Sequence, residues 1–363
     1  MRPPAGPSSR YATLTVATCN LLNLANPGRV YYAQQDAYTQ HEFERKIDWL
    51  GERFATLNAD LLAVQEVWDE AAFKAAIRRS GLRYPEVHAP GAENNAQQQG
   101  ASGTPRLGLA TRLVLEDLRS LTDFALPQAL DIPGCGVHGQ FERPPLLATL
   151  RMKHGQRLRL LNVHLKSKRP RFLMDAEGRP LEDRDDPKVK ALAGLRSLMM
   201  RGAEAAALRG LVVDLLNESD DTPLIVVGDF NDGPNSVTTQ LVAATGEVAY
   251  DRAARRLALF NAYDVQSEMA IRRDVAYSHI HQGRPEVLDQ VLVSEGFLAE
   301  GRFSLGDVRR IQYFTDHLNE GHSRTRSDHG FVRALLRLRL PDNGHPQAHV
   351  NSDANNGPVA PSA

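Results

Sequence analysis

Polar side chains follow most of the short apolar runs of this chain, and they are of the types that bind metal ions or move protons. Asn20, Glu66 and His164 each end such a run, and Asp229 and Asn231 follow another within Val-Val-Gly-Asp-Phe-Asn-Asp. Side chains at strand ends point into a shared crevice in layered folds. Carboxylate and amide oxygens suit hard divalent cations, and an imidazole can transfer a proton near neutral pH. The pattern predicts one polar site assembled from several strand ends.

Two further stretches extend this set. Asp289 lies within Leu-Asp-Gln-Val-Leu-Val-Ser, and Asp328 and His329 precede the last apolar run. Taken singly, such residues have ordinary structural explanations, because an acid or amide after a strand is usually a turn former or a helix cap. A single buried histidine is usually a hydrogen-bonded core residue. Asp289 is the exception, since an acid within a β-run of leucine and valine residues is unfavourable unless it is paired. Together the residues indicate a functional site.

The elements that would position these residues are short strands and three helices. Runs of β-forming residues predict strands at Leu14–Cys19, Leu61–Val64, Leu107–Leu115, Leu146–Met152, Leu158–Val163, Leu224–Val227, Val287–Val293 and Phe331–Leu340. Apolar residues at helical spacing predict helices at His41–Leu57, Glu70–Arg79 and Pro187–Leu216. In the last helix, Gly194, Gly202 and Gly210 recur at a regular interval, which predicts close packing of one helix face against a sheet.

Strands and helices mix without a strict βαβ alternation, and successive apolar runs favour antiparallel pairing. The sequence therefore predicts an α/β fold, a layered sandwich rather than a Rossmann sheet. Met1–Arg10 predicts a flexible N-terminus and Pro341–Ala363 a disordered tail, because both have few apolar residues and are rich in proline, glycine or small polar residues. Residues 11–340 are then expected to form one domain.

The composition is that of a globular protein without an excess of either charge. Of 363 residues, 42% are hydrophobic and 24% are charged, and the formal net charge is −1, so any contact with nucleic acid must come from local basic clusters. Two cysteines, Cys19 and Cys135, exclude a cysteine-rich zinc site and suit a reducing compartment. No secretory signal or membrane-spanning run is recognisable. These features predict a cytoplasmic protein without stable membrane association, and no protein partner can be inferred.

The motifs resemble, in order, those of the endonuclease/exonuclease/phosphatase superfamily, which includes DNase I. They are Thr-Cys-Asn (Asn20), Val-Gln-Glu (Glu66), Asn-Val-His-Leu (His164), Gly-Asp-Phe-Asn (Asp229, Asn231), Leu-Asp-Gln-Val-Leu-Val-Ser (Asp289) and Ser-Asp-His (Asp328, His329). The resemblance covers roughly residues 12–340, and Gly-Asp-Phe-Asn together with Ser-Asp-His is highly specific. It implies a DNase I-like four-layer sandwich of two mixed β-sheets flanked by helices, with the active site at one edge.

The resemblance also implies a metal site. Glu66, supported by Asn20 and Asp328, would hold one Mg²⁺ or Mn²⁺, cations that prefer hard oxygen ligands. Abasic endonucleases of the exonuclease III type have an aspartate two residues after the asparagine, where this chain has Leu22. We therefore expect the metal shell to depend more on Glu66, Asp328 and water.

The catalytic roles follow from the same resemblance. Asp229 would orient or deprotonate the attacking water, and Asn231 would fix the Asp229 carboxylate. His329, held by Asp289, would meet a phosphoryl oxygen, so that the metal and the imidazole together offset the charge that develops on phosphorus. His164, where exonuclease III-like abasic endonucleases usually have asparagine, would contact the phosphate and protonate the leaving oxygen, which argues against a dedicated abasic-site enzyme.

Two basic residues are candidates for substrate binding. Arg112 matches the Ser/Thr-Arg that ends a strand in the family, and its alternative is an ordinary surface position. Lys166 begins the basic run Lys-Ser-Lys-Arg-Pro-Arg directly after His164, where it would lie beside the scissile phosphate. A charge run of this kind is otherwise a solvated face.

The leading functional hypothesis is a metal-dependent phosphodiesterase, a nuclease that hydrolyses DNA or RNA by in-line attack of water. A lipid or inositol phosphate hydrolase resembling sphingomyelinase is the alternative within enzymes, although no apolar membrane-docking segment is evident. An inactive binding scaffold is the alternative outside enzymes, because a fold does not imply a function. Retention of the whole motif set favours an enzyme over a scaffold.

Overall fold

Two six-stranded mixed sheets form the centre of the structure, a computed structural model that describes residues 10–32, 35–92, 103–124, 130–175, 177–244, 251–268, 276–299, 301 and 303–340. The predicted flexible terminus at Met1–Arg10, except for Arg10 itself, and the predicted disordered tail at Pro341–Ala363 lie outside the described residues.

The first sheet carries the first and last strands of the fold side by side. In spatial order, with strands numbered along the chain, it consists of β15 (Gly306–Phe314), β16 (Phe331–Arg339), β1 (Tyr11–Leu24), β2 (Leu61–Val67), β4 (Arg106–Thr111) and β3 (Glu86–His88). Strands β1 and β2 are parallel, and every other neighbouring pair in this sheet is antiparallel. The ends of β1 and β2 therefore reach the same edge.

The second sheet repeats this plan with one parallel pair at its centre. In spatial order it consists of β11 (Leu259–Asn261), β14 (Asp289–Ser294), β10 (Leu224–Asp229), β9 (Arg157–His164), β8 (Leu146–Arg151) and β5 (Val114–Ser120). Strands β9 and β10 are parallel, and the other neighbours are antiparallel. Two hairpins lie outside the sheets, β6 (Leu130–Ile132) with β7 (Gly136–His138) and β12 (His279–His281) with β13 (Arg284–Glu286).

The three predicted helices are present within one or two residues of their expected ends. The helices are α1 (Gln40–Leu57), α2 (Glu70–Arg79), α3 (Pro187–Glu218), α4 (Val237–Ala243), α5 (Arg252–Arg256) and α6 (Ala262–Val265), with short 3₁₀ turns at Glu295–Phe297 and Asp316–Asn319. Thr39 begins α1 with a capping box to Glu42, and Asp186 caps α3 ahead of Pro187. Within the described residues, none of the helices combines the length and the apolar composition needed to cross a membrane.

Three apolar clusters separate the layers. One fills the space between the two sheets and includes Val16, Leu61, Leu160 and Val227. A second packs α1 and α2 on the outer face of the first sheet, and a third packs α3 and α4 on the outer face of the second. The order of layers is helices, sheet, sheet, helices. The predicted sandwich of two mixed sheets flanked by helices is confirmed.

Two local predictions are wrong. The run Leu107–Leu115 is two strands in different sheets, because Thr111 Oγ1 accepts the N–H of Leu113 at 2.9 Å and the chain turns there. Gly194 and Gly202 of α3 do not mark a close approach to a sheet, since a methyl group on either would meet no atom within 4 Å outside the helix backbone.

Candidate active site

The second sheet places three of the predicted residues side by side. Asp229, at the end of β10, pairs in register with His164 on β9 and with Asp289 on β14. Because β9 and β10 are parallel, their last residues meet at one edge, whereas antiparallel β14 contributes its first residue there. All three side chains are buried.

The last part of β10 and the turn after it have unusual backbone conformations. Gly228 has a φ of +141°, and a Cβ atom at this position would lie 1.9 Å from the carbonyl oxygen of Val163. Asn231 adopts a left-handed φ of +52°, which asparagine tolerates better than most residues. Its N–H donates to Asp229 Oδ1 at 2.8 Å, and its side-chain amide donates to the Leu165 carbonyl at 2.9 Å. The turn therefore fixes one oxygen of the Asp229 carboxylate.

The first sheet brings Glu66 to the same edge through an irregular strand end. The pairing register of β1 with β2 shifts after Asn20, and Glu66 has a φ of +63°. A left-handed conformation costs a residue with a side chain about 1–2 kcal/mol. The N–H of Asn23 donates to Glu66 Oε2 at 2.9 Å and holds the side chain in place. Backbone strain of this kind is common where a side chain must be aimed into a functional site.

Asn20 joins the carboxylates of the two sheets. Its Nδ2 donates to Glu66 Oε1 at 3.3 Å and to Asp229 Oδ2 at 3.1 Å, while its Oδ1 accepts the N–H of Leu22 at 3.0 Å. In this arrangement the amide nitrogen faces the site and the amide oxygen does not. Asn20 therefore lies at the predicted metal site but binds its carboxylates instead of presenting an oxygen to a cation.

Glu66 and Asp328 are carboxylates whose surroundings suit a divalent cation. Burial raises the pKa of Glu66, Arg143 lowers it, and the charge of Asp328 raises it further. A buried carboxylate beside a second acidic side chain is stabilised by a cation, and oxygen donors are those that Mg²⁺ and Mn²⁺ prefer. The donor set therefore fits the metal that the sequence predicts.

Asp289 and His329 form a buried acid–imidazole pair. Asp289 Oδ2 lies 2.7 Å from His329 Nδ1, and the opposite ring nitrogen, Nε2, lies 3.9 Å from Asp229 Oδ2. Although burial acts to lower the pKa of His329, the charges of Asp289 and Asp229 raise it well above the usual histidine range. Atoms of these three residues converge within 4.8 Å, but Asp289 is already bonded to the imidazole, so a cation here would have to break that pair.

His164 and Asp229 form a second close pair. His164 Nε2 lies 3.3 Å from Asp229 Oδ2 and 4.0 Å from Glu66 Oε1. Burial lowers the pKa of His164 well below its usual value, and the positive charge of Arg143 adds to this effect. Burial raises the pKa of Asp229 to about 6, against the opposing influence of His329. At neutral pH, His164 is therefore an uncharged imidazole beside a mostly ionised carboxylate.

Only one of the two predicted basic residues, Lys166, lies near the cluster. Lys166 is buried close behind His164, with its Nζ 3.7 Å from the Glu142 carboxylate, and burial lowers its pKa. Arg112 follows β4, which runs antiparallel to β2, so it lies at the opposite edge of the first sheet. There its guanidinium donates to Asn58 Oδ1 at 2.7 Å. The structure does not bring Arg112 to the cluster.

Arg143 lies at the site although it was not among the residues predicted from the sequence. Its charge acts on Glu66, His164 and Lys166, and its Nη1 lies 3.5 Å from the Leu165 carbonyl oxygen. The signal was the Arg143-Pro-Pro sequence immediately before β8. Because β8 is antiparallel to β9, the start of β8 lies at the edge where β9 ends. The sequence pattern of a strand end does not mark such a position.

Polar side chains directly beneath the site connect the two sheets. Gln65 Nε2 donates to Asn162 Oδ1 at 2.7 Å, and Asn162 Nδ2 donates to the carbonyls of Val64 and Gly108 at 3.0 and 3.1 Å. Gln65 precedes Glu66, and Asn162 lies two residues before His164 on the same strand face. The contacts fix the relative position of the metal-binding and imidazole sides of the site.

A cavity of about 480 Å³ opens beside Asp328. Its wall includes His279, whose ring centroid lies 4.9 Å from that of His329, and burial lowers the pKa of His279. Arg324 and Tyr38 line another part of the wall. A space of this size can hold a substrate group on the metal side of the cluster.

Sequence comparison shows the family. The family model described as Endonuclease/Exonuclease/phosphatase family matches residues 17–329, and the chain belongs to this family. Its members are generally hydrolases that act on phosphoester bonds, and they typically depend on divalent metals. No curated protein sequence matches the chain.

Solved structures share the fold at low sequence identity. The human Nocturnin catalytic domain with bound sulfate has a TM-score of 0.53 at 16% identity, over 90% of this chain and 97% of that one. A protein of the family from Bacteroides thetaiotaomicron has a TM-score of 0.53 at 15% identity, over 93% and 99%. D. rerio TDP2 complexed with a single-strand DNA product has a TM-score of 0.51 at 12% identity, over 90% and 99%. At these identities the likeness shows the fold alone.

Proposed function

We propose that the protein is a divalent-metal-dependent phosphodiesterase that hydrolyses a nucleic acid, DNA or RNA. The observation that carries the proposal is the setting of Asp229. Its carboxylate accepts hydrogen bonds from Asn231 and Asn20, and its Oδ2 lies within 4 Å of an imidazole nitrogen of both His164 and His329. The pKa of His329 is raised and that of His164 is lowered. A buried carboxylate between a charged and an uncharged imidazole is suited to proton transfer at a phosphodiester.

Asp229 accepts the proton of the attacking water in this proposal. A pKa of about 6 suits the task, because the carboxylate is mostly ionised at neutral pH and still retains affinity for a proton. Asn231 and Asn20 prevent the carboxylate from rotating away from the water. Restricting the base in this way contributes to the rate by keeping the reacting atoms close.

The imidazoles and the metal site stabilise the reacting phosphate. His329 is charged, because Asp289 and Asp229 raise its pKa, and it donates to a phosphoryl oxygen as negative charge develops. His164 is uncharged in the free protein and donates a hydrogen bond to the phosphate. The negative charge of the phosphate favours protonation of His164. When bound, Mg²⁺ or Mn²⁺ at Glu66 and Asp328 supplies Lewis-acid polarisation of the phosphate.

Local basic residues support a polyanionic substrate. Arg143 and Lys166 lie beside the cluster in a chain whose net charge is −1, so attraction to phosphate is local and not a property of the whole surface. The shared fold with a TDP2 that holds a single-strand DNA product and with a Nocturnin domain that holds sulfate supports the same substrate class. A location in the cytoplasm stays a prediction based on composition.

The experiment measures hydrolysis of bis-p-nitrophenyl phosphate, plasmid DNA and a short RNA, each with Mg²⁺, with Mn²⁺ and with EDTA. We expect metal-dependent cleavage of nucleic acid and a loss of about 10²–10⁴-fold in kcat in Asp229→Asn, which keeps the size of the side chain and one acceptor oxygen but removes the base. The exposed substitution Glu52→Gln on α1 is the control and should have wild-type activity.

Cleavage of the small diester alone would redirect the proposal to lipid or inositol phosphates. No hydrolysis of any substrate with either metal would favour the binding scaffold. Wild-type turnover in Asp229→Asn would refute the assignment of the base.

A further inference from the structure

Arg201 and Glu204 of α3 are charged side chains buried beneath the active site. They lie one helical turn apart and face the segments that follow β9 and precede β8, with exposed fractions of 5% and 1%. Neither side chain reaches the phosphate-facing cluster itself. Their hydrogen bonds go to backbone groups of the segments that carry it and to the side chain of Asp232.

Glu204 joins two of these segments through one carboxylate. Its Oε1 accepts the N–H of Glu142 at 3.0 Å, and its Oε2 accepts the N–H of Lys166 at 2.6 Å. Glu142 precedes Arg143, and Lys166 lies two residues after His164. The carboxylate therefore sets the distance between the arginine and the end of β9.

Arg201 binds the carbonyl group of the same residue, Lys166. Its Nη1 donates to the Lys166 carbonyl at 3.3 Å, and its Nε donates to Asp232 Oδ2 at 3.1 Å. Lys166 is thus fixed by α3 at both its N–H and its carbonyl. Asp232 lies three residues after Asp229, so the turn that carries Asp229 is attached to the same helix.

The Leu165 carbonyl transmits this restraint to the catalytic carboxylate. It accepts the side-chain amide of Asn231 at 2.9 Å, and the Arg143 Nη1 lies 3.5 Å away. The N–H of Leu165 donates to the Asp229 carbonyl at 3.0 Å. A shift of the Leu165–Lys166 segment would therefore move Asn231, whose N–H fixes the Asp229 side chain.

We propose that Arg201 and Glu204 are positioning residues for phosphodiester hydrolysis, acting through the Leu165–Lys166 segment on Asn231 and Asp229. The inference rests on the proposed function. Burial raises the pKa of Glu204 to about 7, although the two N–H groups oppose the rise. An unfavourable buried carboxylate is retained where its two acceptor oxygens serve both segments at once.

The test is Glu204→Gln, assayed at pH 8 on bis-p-nitrophenyl phosphate with saturating Mn²⁺. Glutamine offers one acceptor oxygen, and its NH₂ group opposes the second N–H, so one of the two segments is released. We expect kcat to fall about 10–100-fold, the usual effect of removing a group that orients catalytic residues, while KM stays close to that of the wild type.

Asp307→Asn is the matched control. Asp307 is also a buried carboxylate, with 6% of its surface exposed, but it bonds Arg337 at the end of the first sheet away from His329. We expect it to lower the melting temperature without changing kcat. Arg201→Lys is the second variant if Glu204→Gln does not fold, because lysine keeps the charge but cannot bind Lys166 and Asp232 together.

A double variant separates positioning from a merely structural role. Asn231→Gly removes the side chain and suits the left-handed φ of +52°. If Glu204 acts through Asn231, Glu204→Gln lowers kcat much less in the Asn231→Gly background than in the wild type. Losses that multiply, or a wild-type kcat in Glu204→Gln, would overturn the inference. An inactive wild-type protein would instead refute the proposed function.

Discussion

At the scale of single residues, the two histidines of the site differ in their protonation. His329 is paired with Asp289 and has a raised pKa, whereas His164 lies near Arg143 and has a lowered pKa. Asp229 lies between them and contacts both. One imidazole is therefore prepared to stabilise negative charge and the other to donate a hydrogen bond, and the distinction arises from their neighbours and not from residue type.

Asp289→Asn tests the source of the His329 charge. The amide keeps the size of the side chain but removes the negative charge 2.7 Å from Nδ1, so His329 loses its stabilised proton and its tautomer is no longer fixed. We expect kcat to fall by about 10²–10⁴-fold with the fold preserved. Steady-state kinetics and circular dichroism measure both, with the exposed Asp264→Asn as control. Equal turnover in the two variants would show that the pair has no catalytic part.

Glu204 gives a prediction on the pH dependence of stability. Its pKa in the folded state is about 7, against an ordinary value of 4.5, so the folded protein binds more protons than the unfolded chain between these limits. The contribution of Glu204 protonation to the free energy of unfolding is fully present below pH 4.5 and is lost as the pH rises through about 7. A shift of this size corresponds to about 3 kcal/mol. Urea unfolding at pH 5 and pH 8 should therefore show a smaller fall for Glu204→Gln than for the wild type, and parallel falls would contradict it.

At the scale of elements, strand direction explains which residues could be predicted from the sequence. Four predicted residues lie where the regular pairing of the parallel strands ends: Asn20, Glu66, His164 and Asp229. An apolar run followed by a polar residue identifies them without knowledge of the topology. Arg143 precedes β8, and its place at the site follows only from the antiparallel pairing of β8 with β9.

Arg112 shows the converse of this rule. It follows β4 and resembles the other predicted residues in sequence, yet the antiparallel pairing of β4 with β2 places it at the opposite edge. Strand direction is decided by pairing between segments distant in the chain, which a local pattern does not contain. For the same reason the division of Leu107–Leu115 between two sheets could not be predicted.

Two glycine substitutions test the element that carries Asp229. Gly228→Ala places a methyl group 1.9 Å from the Val163 carbonyl at a φ of +141°, so the pairing of β9 with β10 must open. We expect a loss of stability above about 3 kcal/mol together with loss of activity. Gly194→Ala in α3 meets open space and should stabilise the protein by about 0.5–1 kcal/mol. Urea unfolding curves measure both changes, and a Gly228→Ala variant as stable as the wild type would contradict the strand geometry.

At the scale of the whole molecule, the site exists only where the two sheets meet. The first sheet supplies Glu66 and the second supplies Asp229, and Asn20 bonds both carboxylates. Gln65 and Asn162 join the sheets beneath them. The motifs predicted the layered fold and several residues that the structure brings to one edge, but they did not include Arg143 and they wrongly included Arg112. The buried polar contacts that set the spacing between the sheets carry no motif, because any amide in an apolar run could equally well bond within its own sheet.

Metal binding should therefore stabilise the folded protein. Glu66→Gln should separate this stabilisation from the unfavourable burial of the Glu66 carboxylate in the metal-free protein. In the metal-free protein, burial and the charge of Asp328 raise the pKa of Glu66, so its ionised form destabilises the fold and Glu66→Gln should raise the melting temperature. Adding Mn²⁺ at about 100 times its dissociation constant should stabilise the wild type by about 2.7 kcal/mol, and EDTA should reverse the gain. The variant should gain far less, while Glu52→Gln behaves as the wild type. An equal stabilisation of Glu66→Gln by Mn²⁺ would place the cation at Asp229 and the Asp289–His329 pair. The second sheet, and not the first, would then supply the metal site.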